Sequence, residues 1–338
     1  MVTRDDVAKL AQVSPSTVSY VVNNGPRPVS AETRERVLKA IQELGYHPNA
    51  VARNLRRQQT NSIGLIIPDI VNPYFADLAK GIEDTVFERD YTVAFCHTAY
   101  SLERELRYVE HLYSERTAGV IWVPATDDPS PAMKIREHGM PLVVLDRNTT
   151  GLEAPSVVGD NFAAGYIATN YLISLGHRRI GCIARPVRLS HSQERIRGYQ
   201  TALREHGLPA DEELIAPGGY RFENGSHAID YLLGLENPPT AVFAYNDIMA
   251  IGALRRLKER GYRVPEDFSM IGCDDIPEAP FTCPALTTIQ QPKLAMGRKA
   301  AQFLLDLIGG VELENTIQAK FEVNLIVRET TGPAPNSF

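Results

Sequence analysis

From residue 61 onward, short continuous apolar runs alternate with longer stretches of helix-compatible sequence. The runs are Ile63–Pro68, Thr92–Cys96, Gly119–Val123, Leu142–Leu145, Ile180–Ile183, Ala241–Ala244 and Met270–Cys273. Strands that are apolar throughout, rather than at alternate positions, belong to parallel sheets covered by helices on both faces. There are too many for one compact unit of ordinary size, so the pattern predicts two Rossmann-like lobes. Ligands of such sheets bind at the carboxyl ends of the strands, which makes the residues just after each run the informative ones.

The first sixty residues read differently. Thr3 and Asp6 have the spacing of a helix N-cap with an acid at its third position, and Val7, Ala8, Leu10 and Ala11 supply an apolar stripe. Gln12 and Val13 make a turn; Ser14 then caps a second helix with Pro15 at its first position, where the missing N–H costs nothing. That helix ends at Asn23-Asn24-Gly25. Ser30 caps a third helix, whose Val37, Ile41 and Leu44 face one core. Helix, tight turn, helix, third helix is the plan of a helix-turn-helix head, whose second helix enters the major groove. Ser16, Thr17 and Ser19 suit phosphate and base-edge contact there. A plain three-helix bundle with Ser and Thr on its surface has the same pattern.

Charge bears on the partner of the head. The chain carries a net −6, which argues against nucleic acid if taken alone. Residues 1–60, however, hold nine Lys and Arg against five acids, a net +4, so the remainder holds −10. A basic head on an acidic body confines phosphate attraction to one end. No apolar run approaches the roughly 18 residues of a membrane span. The start lacks the layout of a signal peptide, which predicts a cytoplasmic protein. Cys96, Cys182, Cys273 and Cys283 are widely spaced and form no CxxC pair, as expected of reduced, mostly buried thiols. The histidines show no metal-ligand spacing, and the body has no glycine-rich phosphate loop or nucleophile elbow, so neither a metal, a cofactor nor an enzyme is expected.

The segments Asp6–Ser14, Ser16–Asn23 and Ser30–Val37 closely resemble the head of the lactose and purine repressor (LacI/GalR) family, and Gly45–Leu55 looks like that family's hinge helix. The resemblance continues through nearly the whole chain. It implies that Pro15, Ser16 and Tyr20 face base edges while Thr17, Ser19 and Asn23 hold phosphates, with Thr3 and Ser14 completing the set on the head. The position of Tyr20 is most often Arg in the family, so the base pair it faces cannot be borrowed from relatives. In the hinge, Ala50, Val51 and Ala52 are small enough for helix pairing across a dimer. Leu55 would enter the minor groove as an apolar wedge, with Asn49, Ala52, Arg53, Arg56 and Arg57 beside it on the DNA. A solvated linker is the bland alternative for residues 48–60, and such a segment can be disordered alone and helical on DNA.

The strand-end residues of the body include Asn72, Tyr74, Phe75, Asp146, Arg147, Arg195, Tyr220, Phe222, Asn246, Asp247, Asp274, Asp275, Gln290 and Gln291. Paired polar groups with aromatic faces are what a sugar requires. Asp247 and Asp275 read equally well as helix-start or turn residues, and only one of Tyr220 and Phe222 need reach a ligand. The body also resembles periplasmic pentose-binding proteins. Their ribose-contacting pattern carries onto Asn72, Tyr74, Phe75, Asp146, Arg147, Arg195, Tyr220, Asn246, Asp274 and Gln291, with Tyr for Phe at two aromatic positions.

The fold expected is an all-α helix-turn-helix head plus an α/β effector core of two Rossmann-like lobes, periplasmic-binding-protein-like. The parts are residues 1–47 (head), 48–60 (hinge), 61–159 with 290–319 (first lobe) and 160–289 with 320–332 (second lobe). The function expected is a sequence-specific regulator, a repressor, whose affinity for a pseudo-palindromic operator is controlled by a small sugar. The helix after Tyr74 and the segment Tyr100–Leu112 would line the dimer face, and Glu329–Phe338 lacks a leucine heptad, which predicts a homodimer. Two alternatives remain. Ile66–Ile70 and Gly81–Asp84 also resemble catabolite-control relatives driven by a phosphorylated carrier protein. A transport binding protein would need a signal peptide and no DNA-binding head.

Overall fold

The structure, a computed structural model, describes residues 2–22, 27–46, 60–147, 152, 154–184, 190–314 and 317–335. It divides into two compact units, Met1–Thr60 and Asn61–Phe338.

In the first unit α1 (Arg4–Ala11), α2 (Pro15–Val22) and α3 (Ala31–Leu44) close around Val7, Ala8, Ala11, Val18, Val21, Val37 and Ala40. The caps fall where the sequence puts them. Thr3 N–H donates to the Asp6 carboxylate at 2.9 Å and the Asp6 N–H returns to Thr3 Oγ1 at 3.3 Å. Ser14 Oγ accepts from the Thr17 N–H at 3.1 Å, and Ser30 Oγ from the Thr33 N–H at 3.3 Å. Leu10 is a correction: it is 44% exposed rather than part of the stripe. At about 100° per residue, positions 7, 8 and 11 share a face that position 10 leaves.

The second unit contains two six-stranded sheets. The first runs β11 (Gln318–Phe321), β5 (Ser156–Gly159), β4 (Leu142–Leu145), β3 (Val120–Trp122), β1 (Ser62–Ile67), β2 (Thr92–His97), parallel throughout. The second runs β12 (Asn324–Ile326), β10 (Thr287–Gln290), β9 (Ser269–Asp274), β8 (Ala241–Ala244), β6 (Ile180–Ala184), β7 (Ile215–Pro217) and is parallel except for the β10–β12 pair. The inner strands of each sheet are buried on both faces, which is why they read as continuous apolar runs, whereas the edge strands β2, β11 and β12 are partly exposed. On the first sheet, α4 (Pro73–Phe87) and α11 (Lys293–Ile308) cover one face, α5 (Leu102–Ser114) and α6 (Ser130–Glu137) the other. On the second, α7 (Asn161–Ser174) and α8 (Ser190–Glu205) lie opposite α9 (Phe222–Leu233) and α10 (Asp247–Glu259).

Three crossings join the lobes, between β5 and α7, between β10 and α11, and between β11 and β12. They move two expected boundaries. Gln290 pairs with Asp274 in the second sheet, and Lys320 and Phe321 pair with Val158 and Gly159 in the first. The ladder hydrogen bonds continue for a residue or two past the points where the apolar signal fades. Close packing of α7 on α8 depends on glycine: a Cβ on Gly165 would stand 2.0 Å from Arg195 O, and one on Gly198 2.1 Å from Phe162 O. That contact seats the helix that carries Arg195. Among the described residues, no helix is long and apolar enough to cross a membrane.

Candidate functional site

On the head, Ser14 and Ser16 are exposed, while Pro15, Thr17, Ser19 and Tyr20 are half-buried along α2. Thr3 is exposed at the start of α1, and the Ser14 and Thr17 hydroxyls meet at 2.9 Å. Arg27, which the sequence reading passed over, places its guanidinium over the Tyr20 ring at 5.9 Å. Asn23, Asn49, Ala52, Arg53, Leu55 and Arg56 lie outside the described residues, as does the hinge apart from Thr60.

In the core, the carboxyl ends of the two sheets bring most of the candidates together. Asn72 caps α4, its Oδ1 accepting the Tyr74 N–H at 3.0 Å, and Pro73 occupies the first helical position. This sets Tyr74 in the first turn, where its hydroxyl donates to Asp146. Asp146 follows β4 directly with φ +71°, a left-handed conformation that a side-chain-bearing residue adopts only when its surroundings hold it there. The next residue, Arg147, is buried; it donates to Pro124 O, and its Nε stands 3.4 Å from the Asp146 carboxylate without a hydrogen-bond partner. Phe75 meets the edge of Tyr74 with ring centroids 5.3 Å apart but otherwise belongs to the first core and to a groove on the outer side of α4.

The second lobe supplies the rest. Arg195 on α8 is buried; its Nε donates to Asn161 Oδ1 at 2.8 Å, a terminal nitrogen donates to Tyr245 O, and the guanidinium lies 4.2 Å over the Tyr245 ring. It also stands 3.9 Å from Asp274, which ends β9 with φ +121° and accepts from Gln291 Nε2 at 2.9 Å. Asn246 caps α10 by accepting the Met249 N–H at 3.0 Å, so its amide NH2 is the group it can offer a ligand. Tyr220 stacks on Tyr100 of the first lobe at 3.7 Å, whereas Phe222 is 47% exposed.

Charge accumulates between the lobes. Burial first, then Asp146 and Asp274, raises the Tyr74 hydroxyl above its usual range. Burial pushes the Asp274 carboxyl up to about 7, against the pull of Arg195. Arg147 feels Asp146 of its own lobe and also Tyr245 and Tyr220 of the other. Two carboxylates and two guanidiniums thus share one buried space lined by tyrosines. Such a space can grip vicinal hydroxyls by paired hydrogen bonds and cover an apolar ring face.

Other residues have different work. Asp247 accepts from the Ile276 N–H at 2.9 Å and the Thr288 hydroxyl at 2.5 Å, and Asp275 pairs with Arg328 at 2.6 Å and Gln290 at 2.8 Å. Asp247 ties α10 to β10, and Asp275 ties the end of β9 to β10 and to the segment after β12. Sequence reasoning missed Tyr100, Asn161, Tyr245 and Lys293. Of these, Tyr245 directly follows β8 and Asn161 follows the first crossing, so the strand-end rule reaches them; Tyr100 and Lys293 come into place only through tertiary packing.

Comparison with known proteins bears on both units. The family described as bacterial regulatory proteins, lacI family, matches residues 3–49, and a periplasmic binding protein-like domain matches residues 169–331. The HTH-type transcriptional repressor CytR of Escherichia coli (strain K12) is 38% identical over 333 residues, covering 98% of this chain and 97% of the relative. Among solved structures, a transcriptional regulator CelR-cellobiose complex aligns with a TM-score of 0.75 at 34% identity, over 98% of this chain and 100% of that one. A LacI family transcriptional regulator from Enterococcus faecium with bound ribose gives 0.73 at 31% identity, over 80% of this chain and 99% of that one.

Proposed function

The chain belongs to the lacI family of bacterial regulatory proteins, DNA-binding transcriptional repressors, and on that premise we propose that a pentose, ribose or a close relative of it, sets its affinity for a pseudo-palindromic operator. The observation that carries this reading is the buried ring of Tyr74, Asp146, Arg147, Arg195, Asn246, Asp274 and Gln291 at the carboxyl ends of both sheets. Arg147 Nε, buried without a partner, supports it, because a ligand hydroxyl would satisfy that donor. The E. faecium regulator, a protein of similar fold solved with bound ribose, supports the reading.

Closure of the lobes on the sugar would alter how two first lobes meet in a homodimer, and so whether two hinges can pair on DNA. The outer side of α4 and β2 suits that contact. Ile70, Val71, Phe87 and Phe95 are exposed there, and a groove of about 450 Å³ runs past Ile67, Ile70, Phe75, Ala79 and Phe95. Pro15, Ser16 and Tyr20 would read bases, Thr3, Ser14, Thr17, Ser19 and Asn23 would hold phosphates, and Leu55 would wedge the minor groove between Arg53 and Arg56. The work is cytoplasmic, where the operator lies.

Calorimetry with ribose, xylose, arabinose, a hexose and a disaccharide, paired with operator gel shifts, tests the effector. Pentose binding that changes operator affinity is expected; silence from every sugar would turn the reading to a phosphorylated carrier protein. On the head, Arg27→Ala should weaken operator binding by about 0.5–1 kcal/mol, the worth of an exposed cation–π contact, and relax selectivity at the base pair Tyr20 faces. Fluorescence anisotropy on operators varied at that base pair reads both effects, and unchanged selectivity would leave Arg27 a packing partner of Tyr20.

A further inference from the structure

We propose that Glu105 is a positioning residue that sets Arg147 in the effector pocket, acting through the single peptide group between Pro124 and Ala125. Glu105 lies on α5 and is 0% exposed, in a position where an apolar residue would cost less to bury. One carboxylate oxygen, Oε1, accepts from Trp122 Nε1 at 2.8 Å and from the Ala125 N–H at 2.8 Å. The carbonyl of that same peptide group, Pro124 O, accepts from the Arg147 guanidinium. The peptide is trans, so its N–H and C=O point in opposite directions. An anion therefore sits at its N–H end and a cation at its C=O end, both aligned with the peptide dipole. Each polarises the group in the sense that strengthens the other's hydrogen bond.

Two details support this arrangement. Among the described residues, Glu105 Oε2 and Arg147 Nε are the buried side-chain polar atoms that have no hydrogen-bond partner, and they stand at the two ends of the relay. The charges facing Glu105 are also consistent: burial raises its carboxyl, Asp128 adds to that rise, and Arg147 opposes it. The relay gives the end of β3 and the loop after it one fixed orientation, and with it the guanidinium that the pentose would meet.

Trp122 is the chain's one tryptophan, so its emission reports on Glu105 directly. In the ligand-free full-length protein, emission should titrate with pH as the Glu105 carboxyl gains its proton. The titration should vanish in Glu105→Gln, and its midpoint should rise in Arg147→Met, where the stabilising cation is gone. A flat wild-type profile, or a midpoint indifferent to Arg147→Met, overturns the relay. The positioning role rests on the pentose reading and is measured separately with ribose. Glu105→Ala should weaken ribose binding about tenfold and Glu105→Gln about threefold, with operator affinity unchanged in both. Should the alanine variant fail to fold, the glutamine variant carries the test, because its Oε1 can still accept both hydrogen bonds. Wild-type ribose affinity in a folded variant refutes the positioning role. Absence of ribose binding in the wild type, with the Arg147→Met shift present, refutes the pentose reading and leaves the relay standing.

Discussion

Asp274→Ala should abolish the response to the effector while leaving operator binding in place. Asp274 is the carboxylate of the second lobe that faces the shared space, held by Gln291 and bracketed by Arg195. Removing a buried, hydrogen-bonded charge from a binding site costs about 2–5 kcal/mol, so sugar affinity should fall by a factor between roughly thirty and several thousand. The fold should survive. Arg195 keeps Asn161 and Tyr245 O, and burial already makes the Asp274 charge unfavourable in the free protein. The pH dependence has a definite sign. Because the folded carboxyl is raised to about 7, the native state binds this proton more tightly than the unfolded chain does. Its contribution to stability is therefore present at acid pH and lost as pH rises from the ordinary carboxylate range to about 7. Asp274→Ala should flatten the stability profile across that window. A sugar gripped by the ionised form should bind more weakly below pH 7 and release protons there, which calorimetry in buffers of different ionisation heat detects. Loss of DNA binding in the free variant would sink the assignment of Asp274 to the effector.

The sheets show which parts of such a site a sequence exposes. The seven apolar runs became β1, β2, β3, β4, β6, β8 and β9; all but the edge strand β2 are covered on both faces and have no polar alternation to hide them. The edge strand β11 (Gln-Ala-Lys-Phe) alternates exposed and half-buried residues and carries no apolar signal; β12 has three residues. Those two strands form the last crossing, so a boundary at residue 320 falls two residues early. Asp146, Asn246 and Asp274 were legible because chain geometry puts the residue after a parallel strand at the mouth of the sheet. Tyr100 and Glu105 were not: what each does depends on a partner 120 or 17–20 residues away that no local pattern names. Family resemblance proposed the members of the pocket, but it could not say that Phe75 meets the edge of Tyr74, or that Arg27 covers Tyr20.

Lys293 has no local signal at all, and its replacement should be the most destabilising change near the crossings between the lobes. It occupies the first turn of α11, where a cation opposes the helix dipole, so something other than helix stability keeps it there. It is 7% exposed, and its ammonium donates to Asp274 O at 2.8 Å and Asp275 O at 2.6 Å while standing 3.2 Å from the Asp77 carboxylate on α4. One side chain thus ties the end of β9 in the second lobe to a helix of the first. Asp274 and Asp275 both have left-handed φ, +121° and +51°, a strained pair whose carbonyls Lys293 gathers. Lys293→Met keeps the stem and removes the donors. Leaving these carbonyls unsatisfied costs about 1–3 kcal/mol each, so unfolding free energy should fall by about 2–6 kcal/mol. Sugar affinity should fall with it, since the carboxylate of Asp274 sits on the backbone that Lys293 holds. Asp77→Asn separates the two halves of the contact. Its carboxylate is 31% exposed and screened by solvent, so its loss should cost under about 1 kcal/mol and disappear at high salt. The Lys293→Met deficit should persist in high salt, because it arises from buried carbonyls rather than from the ion pair. Equal losses in the two variants would mean that the Asp77 ion pair, and not the strained end of β9, is what Lys293 serves.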